Sequence, residues 1–454
     1  MNKVAIYTRH KLVSYSCQLA AGLRHDFETI VFSEDDLGHP NIVNAEAFFD
    51  YEAGDQFFDK AEISDVILRC RVLRSLDQPL ALSLIKRACK SIMGFLDSYK
   101  PNAIVSPRID NYFLDLLERI CKIKGIKFIG LWRSAFVGGM FFLTCRGEFH
   151  RLRTPLEHEV KALTSSMQSP GFKGTSIWVS RAGLKNAASR FIYLYLRAIT
   201  LEGIRCCSKN KFRYRELATR FFVEEYAVKF SDIFYSYSGW QDRISSLLLS
   251  GKPKVFLALQ VNPEATIDYY CEPIEMIDVK NVSPQIVCEF LQRGYDVIIK
   301  DHPNMIGNRK AEFLKSLDMS ANQTVLVPPH VDSNYLIDIS DLVFTWSGTI
   351  AVQALMRGKK AITVCSPYYI DVPGLFKINS LKDVKRVLSI LSHCKAEKPD
   401  QTHLSKLSSH ILSSHLEGEI FLHDRKMRGE VNIPFRAISN LIKGVTSDEQ
   451  PLKG

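Results

Sequence analysis

Short apolar runs alternate with stretches of helical period along most of this 454-residue chain. Residues 2–7, NKVAIY, read as a strand, SYSCQLAAGLRH as a helix and FETIVFSED as a second strand. A Leu-, Ile- and Lys-rich stretch over about 60–98 predicts helix. NAIVSP follows as a strand, NYFLDLLERICKIKG as a helix closed by Gly125, and IKFIGLW as a strand. The β-α-β order predicts a parallel sheet, and so a Rossmann-like domain over residues 1–150. Residues 151–250 break the pattern. They carry helical spacing and aromatics such as Trp178, Phe191, Tyr193 and Tyr195, and read as a helical insert or connection. The alternation restarts at PKVFLALQ (253–260) and continues through SPQIVCEFLQRG, YDVIIK, RKAEFLKSLD, TVLVPP, SNYLIDIS, DLVFTW, GTIAVQALMRG and KKAITVC. Ser283 followed by Pro284 is the expected start of the first of these helices. A second Rossmann-like domain is expected over 251–395. A tail over 396–454 holds one helix, near PFRAISNLIKG, expected to pack back on the first domain.

The length calls for more than one core. A composition of 46% hydrophobic and 24% charged residues is that of a globular protein. VFLAL and AFVGGMFFL, the longest apolar runs, fall short of a bilayer span, and the start MNKVAIYTRH enters a strand directly. A cytoplasmic protein is expected. The eleven cysteines show no C-x-x-C spacing, which argues for reduced thiols and against a zinc site. The net charge of +10 is concentrated: residues 173–220 hold eleven Lys or Arg and two acids. This segment reads either as a solvated helical face or as attachment to an anionic membrane surface, with the interleaved aromatics favouring the membrane. No nucleic-acid-binding module is recognisable, so nucleic acid is not an expected partner.

Candidate chemistry gathers at strand ends. In KDHPNMIGNR (300–309), Lys300, Asp301 and His302 follow the apolar Val297–Ile299 and precede the breakers Pro303 and Gly307. In open α/β sheets ligands bind at that edge. In TWSGTIAVQAL, Ser347, Gly348 and Thr349 open a helix after a strand. Gly lets a ligand approach the backbone, and the helix start offers N–H groups and hydroxyls. The set reads either as an ordinary N-cap or as a phosphate cradle, with Lys300 or His302 holding the phosphate from the other side. In LQVNPEATIDYY, Gln260 and Glu264 flank a proline turn after a third strand. No G-x-G-x-x-G or Walker A pattern is present. On the first domain, Asp110 in SPRIDNY reads either as a helix cap or as a catalytic carboxylate. Arg108 beside it suits a sugar carboxylate, and Glu148 in CRGEF is the second candidate acid.

The order Q-x-x-P-E-A, K-x-H-P-N-x-x-G-x-R, P-P-x-x-D-S (328–333) and S-G-T-x-x-x-x-A-L resembles the capsule polysaccharide biosynthesis family over about 254–370. SPRIDNYFLDLL and LTCRGEF look like that family's N-terminal half. These are bacterial glycosyltransferases of GT-B type, including transferases that use CMP-activated Kdo. The resemblance implies that His302, Pro303, Ser347 and Thr349 grip CMP, with Gln260, Glu264, Lys300 and Gly348 at the same site. Related enzymes often carry a Glu for the ribose hydroxyls where this chain has Gln353, which keeps a hydrogen bond without its charge.

The expected fold is therefore α/β: two Rossmann-like domains facing across a cleft, GT-B-like, with a helical insert. The expected activity is transfer of Kdo or a related nonulosonic acid from a CMP-sugar to a surface polysaccharide or lipid-linked acceptor. Asp110, Glu148 and His302 are the candidate catalytic groups, and no metal or other cofactor is expected. The competing readings are a nucleotide-sugar 2-epimerase and a non-catalytic component of polysaccharide export that keeps the fold.

Overall fold

The computed structural model describes residues 2–51, 58–134, 136–137, 140–144, 151–169, 172, 184–208, 211–365, 372–393, 399–418, 433 and 435–444. The strands are β1 Lys3–Tyr7, β2 Glu28–Ser33, β3 Ile42–Asn44, β4 Ala103–Pro107, β5 Lys127–Arg133, β6 Met140–Thr144, β7 Lys254–Ala258, β8 Asp296–Lys300, β9 Thr324–Val327, β10 Leu342–Thr345, β11 Lys360–Thr363, β12 Leu375–Lys377 and β13 His415–Glu417. They form two sheets, ordered β13-β6-β5-β4-β1-β2-β3 and β12-β11-β10-β7-β8-β9. The chain divides into two compact units, Met1–Glu159 with Ser409–Gly454, and Val160–Ser408. Each is a Rossmann-like α/β unit.

Among the described residues of the second unit, every strand pairing is parallel. Helices on both faces of such a sheet bury its strands completely, which explains the unbroken apolar runs. Val255, Leu257, Val297, Ile299 and Phe344 are fully buried in one core with Trp346, whose Nε1–H donates to the Met276 carbonyl at 2.9 Å. The helix expected to begin at Ser283 begins earlier, at Val279, and runs to Gln292. Asp278 caps it by accepting from Asn281 N, so Pro284 lies inside the helix instead of opening it.

The first unit pairs β3, β2, β1, β4 and β5 in parallel and adds two antiparallel strands at one edge. The outermost, β13, comes from the tail and pairs with β6. Arg153 Nε also donates to the His415 carbonyl at 3.1 Å. The helical region after Glu159 belongs to the second unit, and the tail from Ser409 completes the first. Helix Phe435–Lys443 packs on helix Val13–Leu23, with Ile438 fully buried beside Tyr15 and Leu19. The approach is close: a Cβ on Gly22 would lie 2.2 Å from the Phe435 ring. Among the described residues, no helix is long and apolar enough to cross a membrane.

If the tail is part of the first unit's core, Ile438→Ala lowers that unit's stability by about 2–5 kcal/mol, the cost of emptying a buried aliphatic site. Urea unfolding followed by tryptophan fluorescence measures it. A change within about 0.5 kcal/mol, typical of surface substitutions, would mean that the tail is not core.

Candidate functional site

In the second sheet, the strand order reverses between β7 and β10. Connections leave toward opposite faces there and open a crevice beyond the carboxyl ends of the strands. Gln260 follows β7 and Ser347 follows β10, and the two are locked together. The Gln260 amide Nε2 donates to Ser347 Oγ at 2.7 Å, and the Ser347 backbone N–H donates to Gln260 Oε1 at 2.8 Å. Both side chains are buried.

The tip of β8 joins the same edge. Arg309 donates to both Asp301 oxygens, Nε at 3.1 Å and Nη2 at 2.7 Å, and Nη2 also reaches the Gln260 carbonyl at 2.7 Å. The loop after β8 is thereby tied to the loop after β7. Gly307, at φ +69°, makes the intervening turn possible. A Cβ there would sit 2.5 Å from the Ala187 carbonyl oxygen of helix Leu184–Cys207.

His302 precedes the short turn Pro303–Met305, and its Nδ1 accepts from Asn304 N at 3.1 Å. That bond places the ring proton on Nε2. Burial lowers the His302 pKa to about 4, with Lys300 and Arg309 adding to the effect against the pull of Asp301. His302 is therefore a neutral Nε2–H donor at neutral pH. The cationic role expected of this edge falls to Lys300, which is buried and donates to Ser333 Oγ at 2.6 Å. Burial brings the Lys300 pKa down to about 8, against Asp332 and Asp301. At pH 7 it still carries its charge.

The other expected residues fall nearby along the chain, with differing engagement. Glu264 is half-buried, and its carbonyl accepts from Ile267 and Asp268 at the start of the short helix Ala265–Asp268. The Gly348 N–H donates to Thr345 Oγ1 at 3.3 Å. Thr349 precedes helix Ile350–Met356 without its hydroxyl capping it, so the ordinary-cap reading of that threonine does not hold. Thr349 and Gln353, one turn apart, are both half-buried. Beside Asp301 and Arg309 lies a cavity of about 390 Å³, walled by Tyr235, Tyr237, Pro328 and Pro329 among others.

The first unit has its own reversal, between β1 and β4. Arg9 follows β1, and its Nη2 donates to both oxygens of Asp110, at 3.1 and 2.9 Å. The cap of helix Tyr112–Ile123 is Asn111, not Asp110: its Oδ1 accepts from Leu114 N at 2.8 Å. Asn111 Nδ2 also lies 3.4 Å from both Glu34 oxygens. Glu34 follows β2, and burial and the charge of Asp35 push its pKa up to about 8, against Arg9. Arg108 lies over the Trp132 ring, 4.8 Å from its centroid. Glu148 lies outside the described residues.

Arg9, Glu34 and Arg309 escaped the sequence reading as site residues. The signal that singled out Lys300, a charged residue just past an apolar strand, was present in YTRH and VFSEDD as well.

No family model matches the chain, and no curated protein matches it. Among solved structures, the β-Kdo 2,7 transferase KpsC of Thermosulfurimonas dismutans is similar over 97% of this chain and 99% of its own, at 10% identity and a TM-score of 0.36. A glycosyltransferase from Rickettsia africae is similar over 97% and 98%, at 10% identity and a TM-score of 0.28. The UDP-GlcNAc 2-epimerase of Methanocaldococcus jannaschii is similar over 89% and 97%, at 11% identity and a TM-score of 0.27. At such identities and scores these likenesses do not choose a reaction.

The raised Glu34 pKa has a pH signature. Between the ordinary value of 4.5 and about 8 the folded protein holds a proton that the unfolded chain has released. This contribution to stability is full below pH 4.5 and is lost as pH rises through that window. Glu34→Gln removes it. The melting temperature of the wild type, relative to Glu34→Gln, should therefore fall from pH 5 to pH 8.5 in thermal scans. Parallel curves would place Glu34 in an ordinary solvated setting.

Proposed function

We propose that the chain is a glycosyltransferase. In this reading it moves Kdo or a related nonulosonic acid from a CMP-activated donor to a surface polysaccharide or glycolipid acceptor. One observation carries the reading: the donors at the second unit's strand reversal are already fixed before any ligand arrives. The Gln260–Ser347 pair, the Arg309–Asp301 tie and the Asn304–His302 bond hold them in place. Groups held this way need no reorganisation when charge develops, which is what stabilising a departing phosphate requires.

Donor cleavage breaks the bond between the anomeric carbon and the phosphate oxygen, leaving charge on CMP. In the proposal the His302 Nε2–H and the Lys300 ammonium receive that phosphate. Ser347, whose Oγ accepts from Gln260, still has its own hydroxyl proton to donate. Thr349 and Gln353 are assigned to the ribose side, and the aromatic-walled cavity beside Asp301 to the base. Asp110 is the candidate for taking the acceptor hydroxyl's proton, since Glu34 holds its own proton at neutral pH. Arg108, on the Trp132 face, is assigned to a sugar carboxylate.

Calorimetry with CMP, UDP and GDP tests this on the wild type and on His302→Ala. CMP should bind in preference, and the variant should bind it about ten- to a hundredfold more weakly, the worth of one hydrogen bond to a charged group. At pH 8, binding should take up protons, because a phosphate raises the proton affinity of Lys300. Buffers of differing ionisation enthalpy read that uptake. Preference for UDP would turn the assignment toward the epimerase reading. No binding of any of the three would turn it toward a non-catalytic component.

A further inference from the structure

Helix Leu184–Cys207 is apolar on two opposite faces. Ala187, Ala198 and Leu201 are buried against the second unit. The opposite side presents Ile192, Tyr193, Leu196 and Ile199, spaced as one helical stripe and 48–62% exposed. The apolar surface extends sideways. Tyr195 contacts Phe221 at 6.5 Å between ring centroids, and Phe191 contacts Phe230 at 5.5 Å, which in turn contacts Phe234 at 5.3 Å. Phe221, Phe230 and Phe234 are 47–55% exposed. A contiguous apolar surface of this kind on a globular protein marks a contact site.

Charge identifies what covers it. Between Ala187 and Arg220 the described residues include seven Lys or Arg and two acids. A cationic excess remains after both acids: Glu202 offsets Arg205, with which it pairs at 2.5 Å, and Glu216, buried, lies near Arg213 and Arg215. Arg197 on the same helix is exposed, as are Lys211 and Arg215 in the segment after it, whose short helix Tyr214–Leu217 contacts Leu184–Cys207. Arg220 stacks over the Phe191 and Tyr195 rings at 4.8 and 4.9 Å. A second copy of this chain across a two-fold axis would bring the same cations face to face. A soluble acidic polymer would meet the cations but leave the aliphatic stripe in water. We infer that this face docks on an anionic lipid surface, with Ile192, Leu196 and Ile199 entering the interface while Arg197, Lys211 and Arg215 meet the headgroups. Tyr193 suits the boundary, having an apolar ring and a polar tip.

The full chain is tested by co-sedimentation with vesicles of phosphatidylcholine alone and of phosphatidylcholine with phosphatidylglycerol. Binding is expected to the mixed vesicles and to weaken with salt. Ile192→Ser with Leu196→Ser should weaken it about a hundredfold, the worth of two buried aliphatic side chains. Arg197→Gln and Arg215→Gln should each weaken it about fivefold. All four positions are exposed, so thermal melting should stay at the wild-type value and folding is not at stake. Absence of binding to the mixed vesicles overturns the inference, as does binding that the aliphatic variant leaves intact. Analytical ultracentrifugation covers the remaining occupant: a dimer that Ile192→Ser with Leu196→Ser dissociates would assign the face to a second copy. Retention on polyphosphate that only the charge variants weaken would assign it to an acidic polymer.

Discussion

The Arg309–Asp301 pair is the contact on which the second unit's strand-end geometry depends. Both side chains are nearly inaccessible to water, 8% and 2% exposed. Burying two charges costs more than a surface pair returns, unless hydrogen bonds compensate on every side. Here they do. Arg309 spends its fork on both Asp301 oxygens and on the Gln260 carbonyl, and Asp301 Oδ1 also accepts from the His302 backbone N–H at 2.8 Å. A hydrophobic pair of equal volume would fill the space at less cost but would leave the His302 N–H and the Gln260 carbonyl without these partners. The ion pair is thus understood as a positioning device, one that fixes two strand-end loops to each other and to Ser347 beyond.

The surrounding charges are set by the same burial. His302 is kept neutral first by burial, and Lys300 and Arg309 add to that against the pull of Asp301. Lys300 keeps its charge at neutral pH by a narrow margin, with Asp332 and Asp301 offsetting part of its desolvation. An edge with one directed neutral donor and one marginal cation favours an anion that brings its own charge. The first unit's reversal has the opposite sense. There the carboxylates Asp110 and Glu34 share the neighbourhood of Arg9, and burial, followed by the charge of Asp35, raises Glu34 against the pull of Arg9.

The sheets' central strands were legible in the sequence because a parallel strand covered on both faces must be apolar throughout. VFLA, VIIK and LVFT could hardly be read otherwise. The short edge strands β3, β12 and β13 lack that constraint and left no such signal. Helix starts were misplaced where a rule with one strong cue met a second cap upstream. Ser283-Pro284 looked like a beginning, but Asp278 starts the helix. Asp110 looked like a cap, yet Asn111 takes that place because Asp110 is drawn to Arg9. That partner lies 101 residues away, so no local reading could supply it. The Gln260–Ser347 bond, 87 residues apart, is non-local in the same way, although both residues had been picked out from their strand ends.

The basic segment shows how charge alone underdescribes a surface. Its sequence excess of Lys and Arg fits either a solvated face or an anionic partner. The two differ in what lies between the charges. A solvated helix should present polar side chains opposite its buried face, because water gains nothing from Ile and Leu there. Helix Leu184–Cys207 instead places Ile192, Leu196 and Ile199 in that position, with Arg197 exposed on the same helix and Arg220 stacked over its Phe191 and Tyr195. Apolar centre and cationic border together match a lipid headgroup boundary, where hydrocarbon and anionic charge lie within one side chain's reach of each other.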